Sequence, residues 1–445
     1  MVGNRSNVES RHRTPVAMLA AVLLSVTACS GWPMFRQNPM HTGFSPDRSI
    51  SPEALSSGGL SLDWTGPTGA AVISSPAVAD GIVYVGSADG RLYAFNESGG
   101  TSCTGVPRSC APLWQGVTGD IISYSSPAVV DGVVYIASAD GRLYAFDAQG
   151  NSGCGGSPRM CNPLWTGSIG DQGGFNVFSS PTVVNGVVYV GSNKHMLHAF
   201  DASGTTNCGG LPKSCAPLWT GTTGGPTNNS PAVANGKVYV GGGPKLYTFD
   251  AAGTTSCSGV PKTCTPLWTA VIGGCCFNSS PVVANNTVYV GSENKSLYTF
   301  DASGTTNCSG VPKTCAPLWR AVSTDYIFAS PAVADGVLYV ASFDGYLRAY
   351  DAAGQKNCSG VPKICKRLWR ALNGNTNSSP AVANGVIYLG AHDSHTLTAF
   401  DTSGQTLWGT TLGGEVDSSP VIANGRVYVG SEDGKLYAFR LPASE

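Results

Sequence analysis

The chain has 445 residues, a formal net charge of −1 and only 12% charged residues. No basic run or stripe breaks that balance, which argues against a nucleic-acid partner. The 58 glycines and 28 prolines recur at regular intervals, so turns account for them and low complexity does not.

The first element is a targeting segment. Arg5, Arg11 and Arg13 precede an apolar run from Val16 to Val26, which is too short to span a bilayer as a stable helix. It ends Val26-Thr27-Ala28-Cys29, which resembles the lipobox of bacterial lipoproteins, where the cysteine after the cut is acylated. Ordinary secretory cleavage after Ala28 fits the same small residues. On either reading residues 1–28 are a signal peptide. Removing Cys29 from the 15 cysteines leaves an even number. Residues 29–59 read as an N-terminal segment and a linker running along the ring.

Beyond residue 60 the chain repeats. The Ser-Pro step recurs at Pro76, Pro127, Pro181, Pro231, Pro281, Pro331, Pro380 and Pro420, so there are eight copies about 50 residues apart. Each opens with a short apolar strand, its proline at a strand start where the missing N–H is tolerated. Asp80-Gly81, Asn185-Gly186 and their counterparts then supply a two-residue hairpin, with Asn285-Asn286 as the one departure. A Val-Tyr-Val-Gly strand, a second turn, a Leu-Tyr-Ala-Phe strand and a weaker strand around Leu-Trp complete the unit. With no helical pattern anywhere, four antiparallel strands per unit predict an all-β, eight-bladed propeller. The expected ring spans 60–441. Its blades lie near 74–118, 125–169, 179–223, 229–272, 279–323, 329–373, 378–412 and 418–440, the last completed by 60–66.

Tryptophans carry that closure. Trp114, Trp165, Trp219, Trp268, Trp319, Trp369 and Trp408 end units one to seven, whereas the eighth has none and Trp64 stands before the first. A strand at 60–66 would therefore complete the last blade and remove the open sheet edges. Six cysteine pairs share one spacing between the third strand and the tryptophan: Cys103/Cys110, Cys154/Cys161, Cys208/Cys215, Cys257/Cys264, Cys308/Cys315 and Cys358/Cys365. Two thiolates per blade are too few for a metal, so the expectation is a local disulfide pinning each long loop, worth on the order of 2 kcal/mol. Such a set persists only in an oxidising compartment, in agreement with export.

The segment Trp32-Pro-Met-Phe-Arg-Gln-Asn-Pro-Met-His-Thr-Gly43 and the blade pattern Ser-Pro-x-Val, Val-Tyr-Val-Gly, Leu-Tyr-Ala-Phe-Asp, Leu-Trp resemble secreted proteins built from repeats named after pyrroloquinoline quinone (PQQ). The resemblance covers about 32–440 and implies the propeller fold. The chain is also similar, in fold, blade number and anchoring, to the propeller lipoprotein of the outer-membrane assembly machinery. That likeness implies an exported, membrane-anchored scaffold on the periplasmic or extracellular side. It would be a monomeric ring that binds an envelope protein or polymer without catalysis and without a cofactor. A PQQ- and calcium-dependent dehydrogenase is the alternative, and a glycan-binding propeller the third.

Candidate chemistry lies in the loops that join blades and in those between second and third strands, which share one face. They hold Asp120, Tyr124, Asp171 to Phe178, Asn228-Asn229, Cys275-Cys276, Asp325-Tyr326, Asn373 to Asn377 and Glu415 to Asp417. Adjacent Cys275 and Cys276 could close a small disulfide ring like the one that covers the cofactor in PQQ-dependent alcohol dehydrogenases, or be structural. His195/His198 and His392/His395 have chelating spacing, but each pair would need a third ligand, and solvated turns are the expectation. The Asp-Gly turns at Asp89, Asp140, Asp344 and Asp433 offer one carboxylate each, too few for calcium.

Overall fold

The Ser-Pro steps, Asp-Gly hairpins and β-branched runs fold as their periodicity requires. A computed structural model describes Met1 and residues 31–170, 179–274 and 279–442. Eight antiparallel blades surround one axis. The first runs Ala77–Ala79, Ile82–Ser87, Arg91–Asn96 and Trp114–Val117 from the axis outwards. Its hairpin residues Asp80 and Gly81 have φ of 50° and 76°. Asn285 and Asn286 take up 48° and 59°, because a short amide side chain tolerates the left-handed region.

The ring closes as expected. Strand Ser61–Pro67 pairs antiparallel with Lys435–Arg440, and Trp64 lies between Phe95 of the first blade and Tyr428 of the eighth. The blade tryptophans follow one rule. Seven of the eight indoles, all but Trp408, sit beneath the left-handed glycine of the turn that ends the third strand of the next unit, as with Gly150 over Trp114 and Gly354 over Trp319.

All six disulfides form: Cys103–Cys110, Cys154–Cys161, Cys208–Cys215, Cys257–Cys264, Cys308–Cys315 and Cys358–Cys365. Each pins its own hairpin as expected, but the two sulfurs of each pair differ in surroundings. The second cysteines, Cys110, Cys161, Cys215, Cys264, Cys315 and Cys365, are only 1–4% exposed. They pack in the cores that hold Trp64, Trp114, Trp165, Trp219, Trp268 and Trp319 respectively, each indole belonging to the preceding blade. The physical reason is strand pairing. Each hairpin reaches back and pairs in parallel with the preceding unit's outer strand: Ser109 with Thr65, Cys315 with Ala270. Six blades thereby become six-stranded. The sixth blade keeps four strands, because the seventh unit has no insert to lend it, and Trp369 is correspondingly only half-buried.

Two further departures from expectation lie in residues 31–59. Ser51 caps a helix, Pro52–Gly58, through a bond from the Ala54 N–H, with proline and Glu53 in the first turn. The helix lies against the outer strand Thr406–Thr411, and Gly59 packs on Trp408, where other blades carry a hairpin. A two-residue strand, Phe44–Ser45, pairs with the innermost strand of the seventh blade. The expected linker is therefore part of the ring. No helix among the described residues is long and apolar enough to cross a membrane.

Candidate functional site at the channel mouth

The serine before each proline builds the axis. The N–H of Ser75 donates to the Ser126 hydroxyl oxygen, Ser126 to Ser180, and so on through Ser230, Ser280, Ser330, Ser379 and Ser419, which donates back to Ser75. The eight bonds, at 2.9–3.0 Å, form a closed hoop joining all blades. Where a second serine precedes it, that hydroxyl accepts from its own blade, Ser74 from the Gly86 N–H and Ser418 from Gly430, and Ser418 also donates across to the Ser74 carbonyl of the first blade. The recurrence of serine at all eight positions was the available signal for the hoop.

Residues 32–43 close the channel on one side of the hoop. Their carbonyls accept the inner-strand N–H groups of Val78, Val129, Val233, Val283, Val333 and Val382 in turn. The buried Arg36 guanidinium donates to the Pro331 and Pro380 carbonyls at 2.8 and 2.6 Å, and burial pulls its pKa down to about 9. A side chain at Gly43, where φ is 65°, would strike that guanidinium, which explains the glycine that ends the Trp-Pro-x-Phe-Arg segment. His41 bridges the Pro281 carbonyl and the Thr182 hydroxyl, and Trp32 is buried too.

Burial, with help from Arg36, pushes the His41 pKa down to about 3 against the opposing Pro281 bond. A histidine with a depressed folded pKa contributes stability that is lost as pH falls below about 6.5, its unfolded value. His41→Gln, which keeps a polar group at both partners, should therefore lose less stability than the parent between pH 6.5 and 4.5. Denaturant melts at the two pH values check this.

Above the plug lies an axial cavity of about 160 Å³, floored by Phe35 and walled by the serine hoop with Tyr124, Phe328, Asn228, Asn377 and Asp417. An aromatic step, Tyr326 on Phe328 at 5.5 Å and Phe328 on Phe343 at 5.8 Å, leads out of it. At the rim between the seventh and eighth blades, His392 Nδ1 lies 3.0 Å from Asp417 and 3.5 Å from Glu415, with Glu432 alongside. Burial and the neighbouring Asp417 and Glu415 carboxylates push Glu432 up to about 7. Burial alone would lower the His392 pKa, but Asp417, Glu415 and Glu432 together outweigh it and raise it.

The histidine pairs resolve differently from their spacing. His198 is buried against Phe200, bonded to Ser192, where five other blades place a tyrosine, and burial lowers its pKa to about 4. His395 adopts positive φ in its turn, and His392 pairs with carboxylates instead. The Asp-Gly carboxylates are structural: Asp433 accepts from Tyr437, and Asp344 is held by Arg348. Cys29, Asp171 to Phe178 and Cys275-Cys276 lie outside the described residues.

A closed eight-bladed ring with a plugged axis and a polar mouth defines a propeller of the PQQ-repeat class. Residues 56–208 and 365–441, more than half the chain, match the family described as Outer membrane protein assembly factor BamB, and the chain belongs to that family. The BamB structure from Moraxella catarrhalis superposes with a TM-score of 0.60 at 16% identity, covering 87% of this chain and 99% of that one. Quinohemoprotein alcohol dehydrogenase from Comamonas testosteroni gives 0.65 at 14% identity, over 93% and 82%. At such identities these likenesses show the fold alone. A curated relative, 1-butanol dehydrogenase (cytochrome c) from Thauera butanivorans, is 24% identical over 206 residues. That match takes in 44% of this chain and spans only 28% of the relative.

The described mouth does not fit PQQ. The cofactor is a flat tricyclic tricarboxylate, whereas Phe35 keeps the cavity well below the roughly 300 Å³ at which small-molecule pockets begin. None of the described lining residues is Lys or Arg, and the rim carries carboxylates that would repel an anion.

Proposed function

We propose that the chain is an exported, non-catalytic scaffold, its leader spanning 1–28 and Cys29 its lipid anchor, that holds an envelope protein or polymer at the channel-mouth face. The observation that carries this reading is the plug. With the axis shut by residues 32–43 and only a small cavity above Phe35, recognition falls to the loops around the mouth. The half-exposed Tyr326 and its aromatic step offer an anchor of the kind that dominates protein interfaces. A photo-crosslinker at position 326 should trap one discrete partner in intact envelopes, and one at Val361, on a hairpin tip, should not. Equal labelling at both positions would remove the support for this face.

The second reading, a PQQ-dependent dehydrogenase, is favoured by the match to the butanol dehydrogenase. Titrating oxidised mature protein with PQQ and calcium, followed by tryptophan quenching and cofactor absorbance, separates the two. No saturable binding is expected. Binding that disappears in a Cys275→Ser/Cys276→Ser variant would replace the scaffold reading with the enzyme.

A further inference from the structure

We infer that His392, Asp417 and Glu432 form a site for one divalent first-row transition ion at the rim of the axial cavity. The three side chains come from separate segments: the turn between second and third strands in the seventh blade, the loop to the eighth blade, and the matching turn in the eighth. One ligand atom from each lies within 4.8 Å of the others. Ligands at about 2.0–2.2 Å from a common ion fall within such separations.

The frame is set by other bonds. The His392 N–H donates to the Asn375 carbonyl at 2.8 Å, and the Glu432 N–H to the Glu415 carbonyl at 3.0 Å. Asn377 Nδ2 donates to Asp417 Oδ2 at 3.1 Å, leaving Oδ1 toward His392. The Asp417 side chain is only 3% exposed, so its charge is largely removed from water, and it also lines the cavity.

Charge and donor type name the ligand. The Asp417 and Glu415 carboxylates stand 3.0 and 3.5 Å from His392 Nδ1, and Glu432 joins the same cluster. A protonated His392 would bring one positive charge to three carboxylates. A divalent ion brings two and takes imidazole as a neutral ligand. Calcium favours six to eight oxygens, while an imidazole among carboxylates suits first-row ions such as zinc or cobalt.

Tag-free, oxidised mature protein would be titrated calorimetrically with Zn²⁺, Co²⁺ and Ca²⁺ in turn. One Zn²⁺ or Co²⁺ per chain is expected, with Ca²⁺ weaker. His392→Gln and Glu432→Gln should each weaken binding at least tenfold, and His392→Gln should shift the visible absorption of the Co²⁺ form. Metal-free melting curves of the variants check that the ring remains folded. Absence of saturable Zn²⁺ and Co²⁺ binding, binding that survives both substitutions, or a preference for Ca²⁺ would overturn the assignment.

Discussion

Trp64→Ala should lower the unfolding free energy of the entire ring by roughly 3–5 kcal/mol, the usual cost of emptying a large buried aromatic site. Trp64 is fully buried, donates its indole N–H to the Glu97 carbonyl and touches rings from both the first and last blades. It sits in the strand that completes the last blade from the N-terminal side. Beside it, the buried Asp63 carboxylate receives Arg108 from the first unit and Arg426 and Arg440 from the eighth, so the seam is also charged and paired. Opening this seam exposes two sheet edges together with the interior of two blades. Trp369→Ala, in the half-covered sixth blade, should cost clearly less. Denaturant melts of both variants decide the matter, and equal losses would mean the seam is no more critical than any other blade interface.

Reduction of the six disulfides is the other large effect. Each closes a loop of a few residues, so the chain-entropy estimate is about 2 kcal/mol per bond and on the order of 10 kcal/mol for the set, an upper bound because folded hairpins retain some order when reduced. The urea midpoint should fall strongly in reductant. The pairing of each hairpin with the preceding blade adds a local signature. Cys308 and Cys315 pack with Trp268 of the blade before them. A Cys308→Ser/Cys315→Ser variant should lose about 2 kcal/mol and become more susceptible to collisional quenching at Trp268. A purely local staple would lose the stability without uncovering that indole.

The candidate site was partly legible. Loop position alone put Tyr124, Asn228, Asn377, Glu415 and Asp417 on the mouth face, because antiparallel connectivity sorts loops onto two sides. The partnership of His392 with Asp417 and Glu432 was not legible. It joins residues 25 and 40 positions apart across a blade boundary, and sequence spacing instead suggested His392 with His395. His198 departs from the turn its spacing suggests for a related reason. Its neighbours in the sequence mark a turn, but its place in the third strand directs the ring inward.

The number of blades, the hairpin positions, the closing strand and the cysteine partners can all be read along the chain. Each of these is a local periodicity, or follows from one unit lacking what its seven siblings contain. The tertiary structure alone decided the plug, the serine hoop, the capped helix at 52–58 and the loan of each disulfide hairpin to the preceding blade. In the plug and the hoop, backbone groups meet partners from blades all around the axis. A repeat shows what each unit contains, whereas the donors and acceptors left over at its edges find partners only once the ring has closed.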